Sequence, residues 1–487
     1  MKNAYIGIDV GTSGIKLVLI DENRDILSQS SREYEVSHPH EGWSEIEPSI
    51  WYEKMLEGLH ELLKDQNPKL VRTIGVTGQM HTLILLDKDG NSLRPAMMWN
   101  DKRTSKYIPI LREKLSKGYE GKYLSKIVST GSPAANLYWV SREEPEIFRQ
   151  CKKFLIGPDY LVYKLTGKAG TDFVEASTSS MYYIKRKEWS EDIRELIGLP
   201  IGAYPVIRGS SEIVGNVIPK LAEELNFSED VKVIAGTGDN PATAISTGCI
   251  VYKYPVLSLG TSGVLTFPLD SVNEDTLGKI ILFSADRKSF SYLIQGVVQS
   301  VGECINWWTR KILGLKDFGT FDGEIDDDVI CKSSLLFYPH INGDKTIYSD
   351  PKLRGAFIGL SSDTKASEMY YALLEGLSFA VKQLYEYVEI HDYNSLKVTG
   401  GGSKSDLWLQ ILSNVMNMKI ERLSGVSSPS FGAALLAYAS DNPNEEIKIN
   451  LQTTKEFTPD FNLAEIYESK YTKYLRIHDA LKYISGD

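Results

Sequence analysis

Two aspartates and three glycine-rich turns are the places where this sequence offers chemistry. Asp9 stands in an apolar run, Ile6-Gly7-Ile8-Asp9-Val10, two residues before Gly11-Thr12-Ser13-Gly14. A carboxylate in an apolar strand is costly unless something partners it. A hydrated Mg²⁺ is such a partner; so is the turn itself, which Asp commonly caps. Asp239 follows the strand-like run Val231–Ala235 and precedes a helix of small residues. It reads either as an ordinary helix N-cap or as a general base that takes the proton of a hydroxyl beyond the strand end. Gly236 and Gly238 are expected to let the backbone come close to a ligand there.

The motif Gly-Thr-Ser-Gly occurs twice, at Gly11 and again at Gly260-Thr261-Ser262-Gly263, about half a chain apart. Each copy has apolar strand-like segments on both sides and reads as a hairpin turn. Turns of this composition gather backbone N–H groups and hydroxyls at one point, which suits a phosphate oxyanion. A third turn, Gly400-Gly401-Gly402, lies between a strand-like run and an amphipathic helix carrying Leu407, Ile411, Leu412 and Val415. Ser403 or Ser405 is placed to cap that helix. A strand–glycine–helix junction is an anion or nucleotide site, yet it matches neither GxGxxG nor GxxxxGK[ST].

Two further segments suit a polyol. Gln79-Met80-His81 sits between strand-like runs 71–78 and 81–87, offering hydrogen bonds on both sides of an apolar side chain. His81 serves equally well as a structural hydrogen-bonder. Downstream, Trp99-Asn100-Asp101-Lys102-Arg103 places an aromatic ring beside amide, carboxylate and guanidinium groups.

The elements that must position these residues alternate between strand and helix signals, which predicts an α/β fold. Helices are expected over 50–65, 367–389 and 431–440, with a hinge over 236–249. The 487 residues carry a net charge of −10, which argues against a nucleic-acid or anionic-membrane surface. No apolar stretch approaches the roughly 18 residues that span a bilayer, and Met1–Ala4 leads straight into a strand. The four cysteines form no CxxC, so neither a zinc site nor a disulfide framework is indicated and a reducing cytoplasm fits.

Taken together the motifs resemble the FGGY carbohydrate kinases, over nearly the whole chain. The resemblance rests on IGIDVGTSG, GQMHTLILLD, PAMMWNDKR, PDYLVYKLTG, AGTGDN, LSLGTSG, RGAFIGL and VTGGGSKSDLWLQ, in that order. It implies two actin/hexokinase-like (ribonuclease H-like) domains around a central cleft, 1–245 for the sugar and 246–487 for the nucleotide. It implies Asp239 as catalytic base and Asp9 acting through Mg²⁺. Gly11, Thr12, Ser13, Gly260, Thr261 and Ser262 would face the phosphates of ATP, and Gly400, Gly401, Gly402 and Ser405 would lie on its adenine side. Gln79, Met80, His81, Trp99, Asp101, Arg103 and Asn240 would contact the sugar. GQMH and WND resemble the branch of the family that phosphorylates D-xylulose on its 5-hydroxyl; gluconate, ribulose and erythritol are the alternatives, with Arg103 as the cation a gluconate carboxylate would need. An actin-like or Hsp70-like ATPase would share the paired phosphate loops without needing GQMH or WND. The resemblance also implies homodimers, although no apolar stripe marks an interface. Asn136, Pro241 and Asp344 depart from the family pattern.

Overall fold

Alternation in the first strand, Ala4–Val10, sends Ile6, Ile8 and Val10 into one apolar core and Tyr5, Gly7 and Asp9 to the opposite face. The computed structural model of the protein describes residues 3–485 except 273–279, 318, 345, 349, 351, 389–392, 426, 448 and 450. Met1, Lys2, the Lys345 of the departing 340–346 segment and Glu389, the last residue of the expected 367–389 helix, lie outside the described residues.

The chain packs as two compact units. One comprises Met1–Ser246, Leu269–Leu293 and Val426–Ile449; the other comprises Thr247–Pro268, Ile294–Gly425 and Asn450–Asp487. Stretches from the second half of the chain thus return to the first unit.

In the first unit the sheet runs Ile213–Asn216, Lys232–Ile234, Val71–Gly78, Ala4–Val10, Gly14–Asp21, Ile26–Glu33. Ala4–Val10 forms an antiparallel hairpin with Gly14–Asp21 and pairs in parallel with Val71–Gly78, which is parallel in turn to Lys232–Ile234. In the second unit Val256–Leu259 forms an antiparallel hairpin with Gly263–Leu269 and runs parallel to Ser395–Thr399, itself parallel to Lys419–Ser424. Each sheet then closes with an antiparallel strand, Ile213–Asn216 in one and Gln452–Phe457 in the other. The repeated Gly-Thr-Ser-Gly is therefore the outward sign of a repeated topology, and both copies form the expected hairpin turns: Gly11 N–H donates to Gly14 O and Gly260 N–H to Ser262 O.

One face of the first sheet is covered by Pro48–Leu63, whose Trp51, Met55, Leu59 and Leu62 are buried against the strands. The other carries Pro429–Asp441, a helix of small residues. Gly7 and Gly75 stand opposite each other in register. A Cβ at Gly7 would lie 1.9 Å from Ser430 O, and one at Gly75 would lie 2.3 Å from Ala433 O. Bare backbone at these two positions lets the helix sit directly on the sheet. Tyr438 meets Tyr5 edge-on, so the helix runs back along the strand and begins at its Asp9 end.

Adding one methyl to that contact should overpack it. Gly75→Ala is expected to destabilise the chain by about 1–3 kcal/mol in chemical denaturation. Gly202→Ala, whose Cβ would meet nothing within 4 Å, should change stability far less. Equal effects of the two would show that the close approach is not what holds the helix.

Candidate active site

Asp9, Thr77 and Gly238 stand at the same end of parallel strands, the end where open α/β sheets bind ligands. Asp9 is buried, and its Oδ1 has no hydrogen-bond partner. Burial raises its carboxyl to about 7, the charge of Asp239 adds to the rise, and Lys16, its cross-strand partner, opposes it. Asp239 is the first residue of the helix Asp239–Ser246. Its Oδ1 accepts from Asn240 N–H at 2.8 Å, and burial raises the carboxyl to about 6. Two carboxylates so placed perturb each other, the arrangement expected where proton transfer or cation binding takes place.

The helix that starts at Asp239 is braced from behind. A Cβ at Gly432 would lie 2.0 Å from Ala242 O, so Pro429–Asp441 touches this helix as closely as it touches the sheet. Pro241 occupies the first turn, where a missing N–H costs nothing. The glycines ahead of Asp239 do something other than expected. Gly236, at φ 75°, would place a Cβ 1.9 Å from Val76 O, and Gly238 would place one 2.5 Å from Met80 Cγ. They allow close approach to a neighbouring strand and to Met80.

Gln79 is buried. It donates from its backbone to Val10 O at 2.8 Å and from Nε2 to Gly11 O at 3.3 Å, while its Oε1 has no partner. Tyr34 O–H donates to the same carbonyl. The first glycine turn is thus fixed from two sides. Met80 is buried beside Asn240, whose Nδ2 lies 3.9 Å from its sulfur. His81 adopts φ 71°, a left-handed conformation rare outside glycine, and its N–H donates to Glu175 Oε2 at 3.3 Å. Trp99 Nε1 donates to Thr12 Oγ1 at 3.2 Å, tying the Trp-Asn-Asp segment to the glycine turn, in which Ser13 is exposed.

Asp101 and Arg103 are brought together, but as a buried pair. Arg103 Nε and Nη2 bond the two carboxylate oxygens of Asp101 at 2.9 and 2.7 Å, and Nη2 also lies 2.7 Å from Glu45 Oε1. The guanidinium stacks 3.5 Å from the centre of the Trp43 ring. Asp101 also accepts from Ser44 N–H at 2.7 Å. Nε and Nη2 are thus taken up by Asp101 and Glu45, while Arg103 Nη1 is buried without a hydrogen-bond partner. Of the departing positions, Asn136 is buried and donates to Gly131 O at 3.4 Å, and Asp344 accepts from Tyr348 N–H at 2.7 Å.

In the second unit a cavity of about 840 Å³ is lined by Gly260, Thr261, Gly401, Gly402 and Ser405, with Trp408, Tyr370, Asp322 and Lys404 among the other walls. Ser262 and Gly400 do not line it. Gly400 serves close packing instead, a Cβ there falling 2.6 Å from Leu259 O. Ser405 caps the helix Asp406–Met416, accepting from Trp408 N–H at 3.2 Å, and the Trp408 indole is held by Ser378 Oγ. Glycine N–H groups on one wall and aromatic rings on another suit a mononucleotide.

Sequence reasoning missed three buried acids of the first unit. Asp159 accepts from Ile156 N–H at 3.1 Å; Asp172 caps the helix Phe173–Thr178; Glu175 reaches His81. The cost that singled out Asp9 applies equally to Glu175, in the buried run Phe173–Thr178.

Residues 4–246 match the FGGY family of carbohydrate kinases, N-terminal domain, and residues 256–440 match its C-terminal domain. The chain belongs to this family: it is a carbohydrate kinase, a phosphotransferase for which family membership implies a sugar acceptor and ATP. Among its relatives, the xylulose kinase of Bacillus subtilis (strain 168) is 32% identical over 443 residues, 89% of this chain and 87% of that protein. A xyloylose kinase from Brucella ovis superposes with a TM-score of 0.90 at 30% identity, covering 99% of this chain and 100% of that one. A gluconate kinase from Lactobacillus acidophilus shares the fold, with a TM-score of 0.88 at 24% identity over 99% of this chain and 98% of that one. Among the described residues no helix is long and apolar enough to cross a membrane.

The raised Asp9 carboxyl has a stability signature. The unfolded chain ionises near the ordinary value, 3.8, and the folded chain near 7. The folded state therefore holds the extra proton between these values, and stability falls as pH rises through that window. Asp9→Asn should raise Tm in metal-free buffer, by an amount that grows from about pH 5 to about pH 7 and then levels off. An unchanged Tm across the range would show that the folded chain does not strain this carboxyl.

Proposed function

We propose that the enzyme transfers the γ-phosphoryl group of ATP to the 5-hydroxyl of D-xylulose, giving D-xylulose 5-phosphate and ADP, with Asp239 as general base. The observation that carries this reading is the buried Asp239 carboxyl at a strand end, beside Met80 and Asn240 and close enough to Asp9 to raise it. The hydroxyl oxygen forms its bond to phosphorus as the bond to the ADP oxygen breaks, and the hydroxyl proton passes to Asp239. Met80 and the Trp99 ring offer apolar walls to the carbon chain; Gln79, His81 and Asn240 offer polar groups for its hydroxyls. The unit containing Gly260, Thr261, Gly401, Gly402 and Ser405 takes ATP in this reading, and the unit containing Asp239 takes the sugar. Three of the four free cysteines are buried, which accords with a cytoplasmic enzyme.

Mg²⁺ fits Asp9. Its Oδ1 is buried without a partner, the environment that a coordinated water or cation would satisfy. Among the described residues no three His, Cys, Asp or Glu side chains are grouped so that they could hold a metal ion by themselves. The ion would therefore be held by Asp9 with waters and phosphate oxygens, the usual manner for Mg²⁺ beside a nucleotide. When bound it supplies neutralisation of phosphate charge.

The branch in which the relatives at 30% identity and above are named favours xylulose over gluconate. A gluconate carboxylate needs an available cation, and two of the three guanidinium nitrogens of Arg103 already bond Asp101 and Glu45, which supports the same reading.

ADP release with Mg-ATP should be stimulated most by D-xylulose in a panel with D-ribulose, L-ribulose, gluconate, glycerol and erythritol. A preference for gluconate would overturn the substrate and the role given to Arg103. Asp239→Asn should keep the fold and lower turnover by roughly 10²–10⁴. An Asp239→Asn enzyme of ordinary activity would remove the residue from that role. The base must be ionised, and its carboxyl lies near 6, so kcat should fall as pH drops below about 6. A flat profile down to about pH 5 would contradict the assignment.

A further inference from the structure

Glu175 is buried to 1% exposure, and its two oxygens are in different situations. Oε2 accepts from His81 N–H at 3.3 Å, while Oε1 has no hydrogen-bond partner. That unpartnered oxygen points towards the Met80–Gly238 contact: a Cβ at Gly238 would lie 3.2 Å from it and 2.5 Å from Met80 Cγ. Glu175 itself is held by its backbone, whose N–H donates to Asp172 Oδ1 at 2.9 Å in the helix cap. Asp172 Oδ2 accepts from Ser210 Oγ at 2.8 Å. A rigid buried support thus ends in one carboxyl, and that carboxyl meets the single backbone position of the sugar-side turn with left-handed φ.

We infer that Glu175 is a positioning residue for sugar recognition, holding the Met80–His81 turn in the conformation that presents both side chains beside Asp239. The inference rests on the assignment of Met80 and His81 to the sugar. Left-handed φ at a residue with a Cβ costs about 1 kcal/mol or more and persists only where surroundings impose it. The hydrogen bond from His81 N–H to Glu175 is such an imposition. Shortening or removing the carboxyl frees the turn to relax, moving Met80 and His81 together.

The surroundings of Glu175 favour the protonated carboxyl over the charged one. Burial, with the charges of Asp159 and Asp172 and then Asp239, holds its carboxyl well above the ordinary range, and the His81 N–H opposes the rise only in part. A second fixed negative charge at this point would also raise Asp239 and weaken it as a neutral-pH base. The groups that act most strongly on Glu175 are Asp159, Asp172, the His81 N–H and Asp239. An amide, which keeps an oxygen to accept from the His81 N–H, should replace it.

The test compares Glu175→Gln, Glu175→Asp and Glu175→Ala in the full-length enzyme, using whichever panel sugar best stimulates ADP release, with Asp239→Asn alongside. Glu175→Gln should keep kcat and both KM values within about threefold and leave the pH profile of kcat in place. Glu175→Asp and Glu175→Ala should raise the sugar KM about tenfold, the loss of roughly one hydrogen bond's contribution, while the ATP KM stays put. Sugar binding without nucleotide, by calorimetry, should weaken in step with KM. A Glu175→Gln loss of kcat comparable to that of Asp239→Asn would overturn the inference, because the carboxyl would then carry charge or a proton in the reaction. Rises in both KM values alike, or loss in all three variants following Tm alone, would overturn it in favour of plain packing. An active Asp239→Asn would remove the base and leave the sugar-KM comparison at Glu175 readable by itself.

Discussion

The geometry of the unit that carries Asp9 and Asp239 hangs on one close-packed contact, the helix Pro429–Asp441 lying on bare backbone. Gly7 and Gly75 supply two adjacent strand positions without a Cβ, and Gly432 supplies a third at the crossing with the helix that begins at Asp239. One helix therefore touches both the strand that carries Asp9 and the helix that carries Asp239. Interiors at native packing density transmit small displacements, so the relation between the two carboxylates is set by a contact whose own residues are chemically inert. The helix comes from late in the chain, and the residues it orders come from the start and the middle.

Electrostatic cost is concentrated where that scaffold is most rigid. Asp9, Asp239, Asp172 and Glu175 are all raised from the ordinary carboxylate range, chiefly by burial. Buried acids without cationic partners weaken a fold at neutral pH, and such strain is retained at sites where activity needs it. The ion pair of Arg103 with Asp101 and Glu45 shows the opposite solution elsewhere in the chain: charge opposed by charge and stacked on Trp43.

The duplicated topology explains why the same four residues recur in two settings. In both sheets the Gly-Thr-Ser-Gly turn joins the central strand to its antiparallel neighbour and sits at the ends of those strands. The copies differ in what surrounds them. The first is pinned through the Gly11 carbonyl by Gln79 and Tyr34. The second opens on the cavity walled by Trp408 and Tyr370.

Sequence alone determined the class of fold, the repeat, the positions of the principal strands and helices, and the two aspartates. These are local or periodic properties: alternation marks strands, glycine marks turns, and an acid in an apolar run announces its cost wherever it stands. It also carried the family resemblance, because eight motifs in fixed order survive as text. What only the tertiary structure decided is what each side chain faces. That Asp101 and Arg103 bond each other, with Glu45 and Trp43 around them, could not be read from the sequence, because Glu45 and Trp43 are distant from them along the chain. Gly236 and Gly238 read as ligand-facing until Val76 and Met80 proved to occupy the space. Glu175 stayed unremarked because its meaning lies in His81, far from it along the chain. Contacts between residues far apart in sequence leave no local pattern, and at this site they decide which polar groups are free to act and which are already spent.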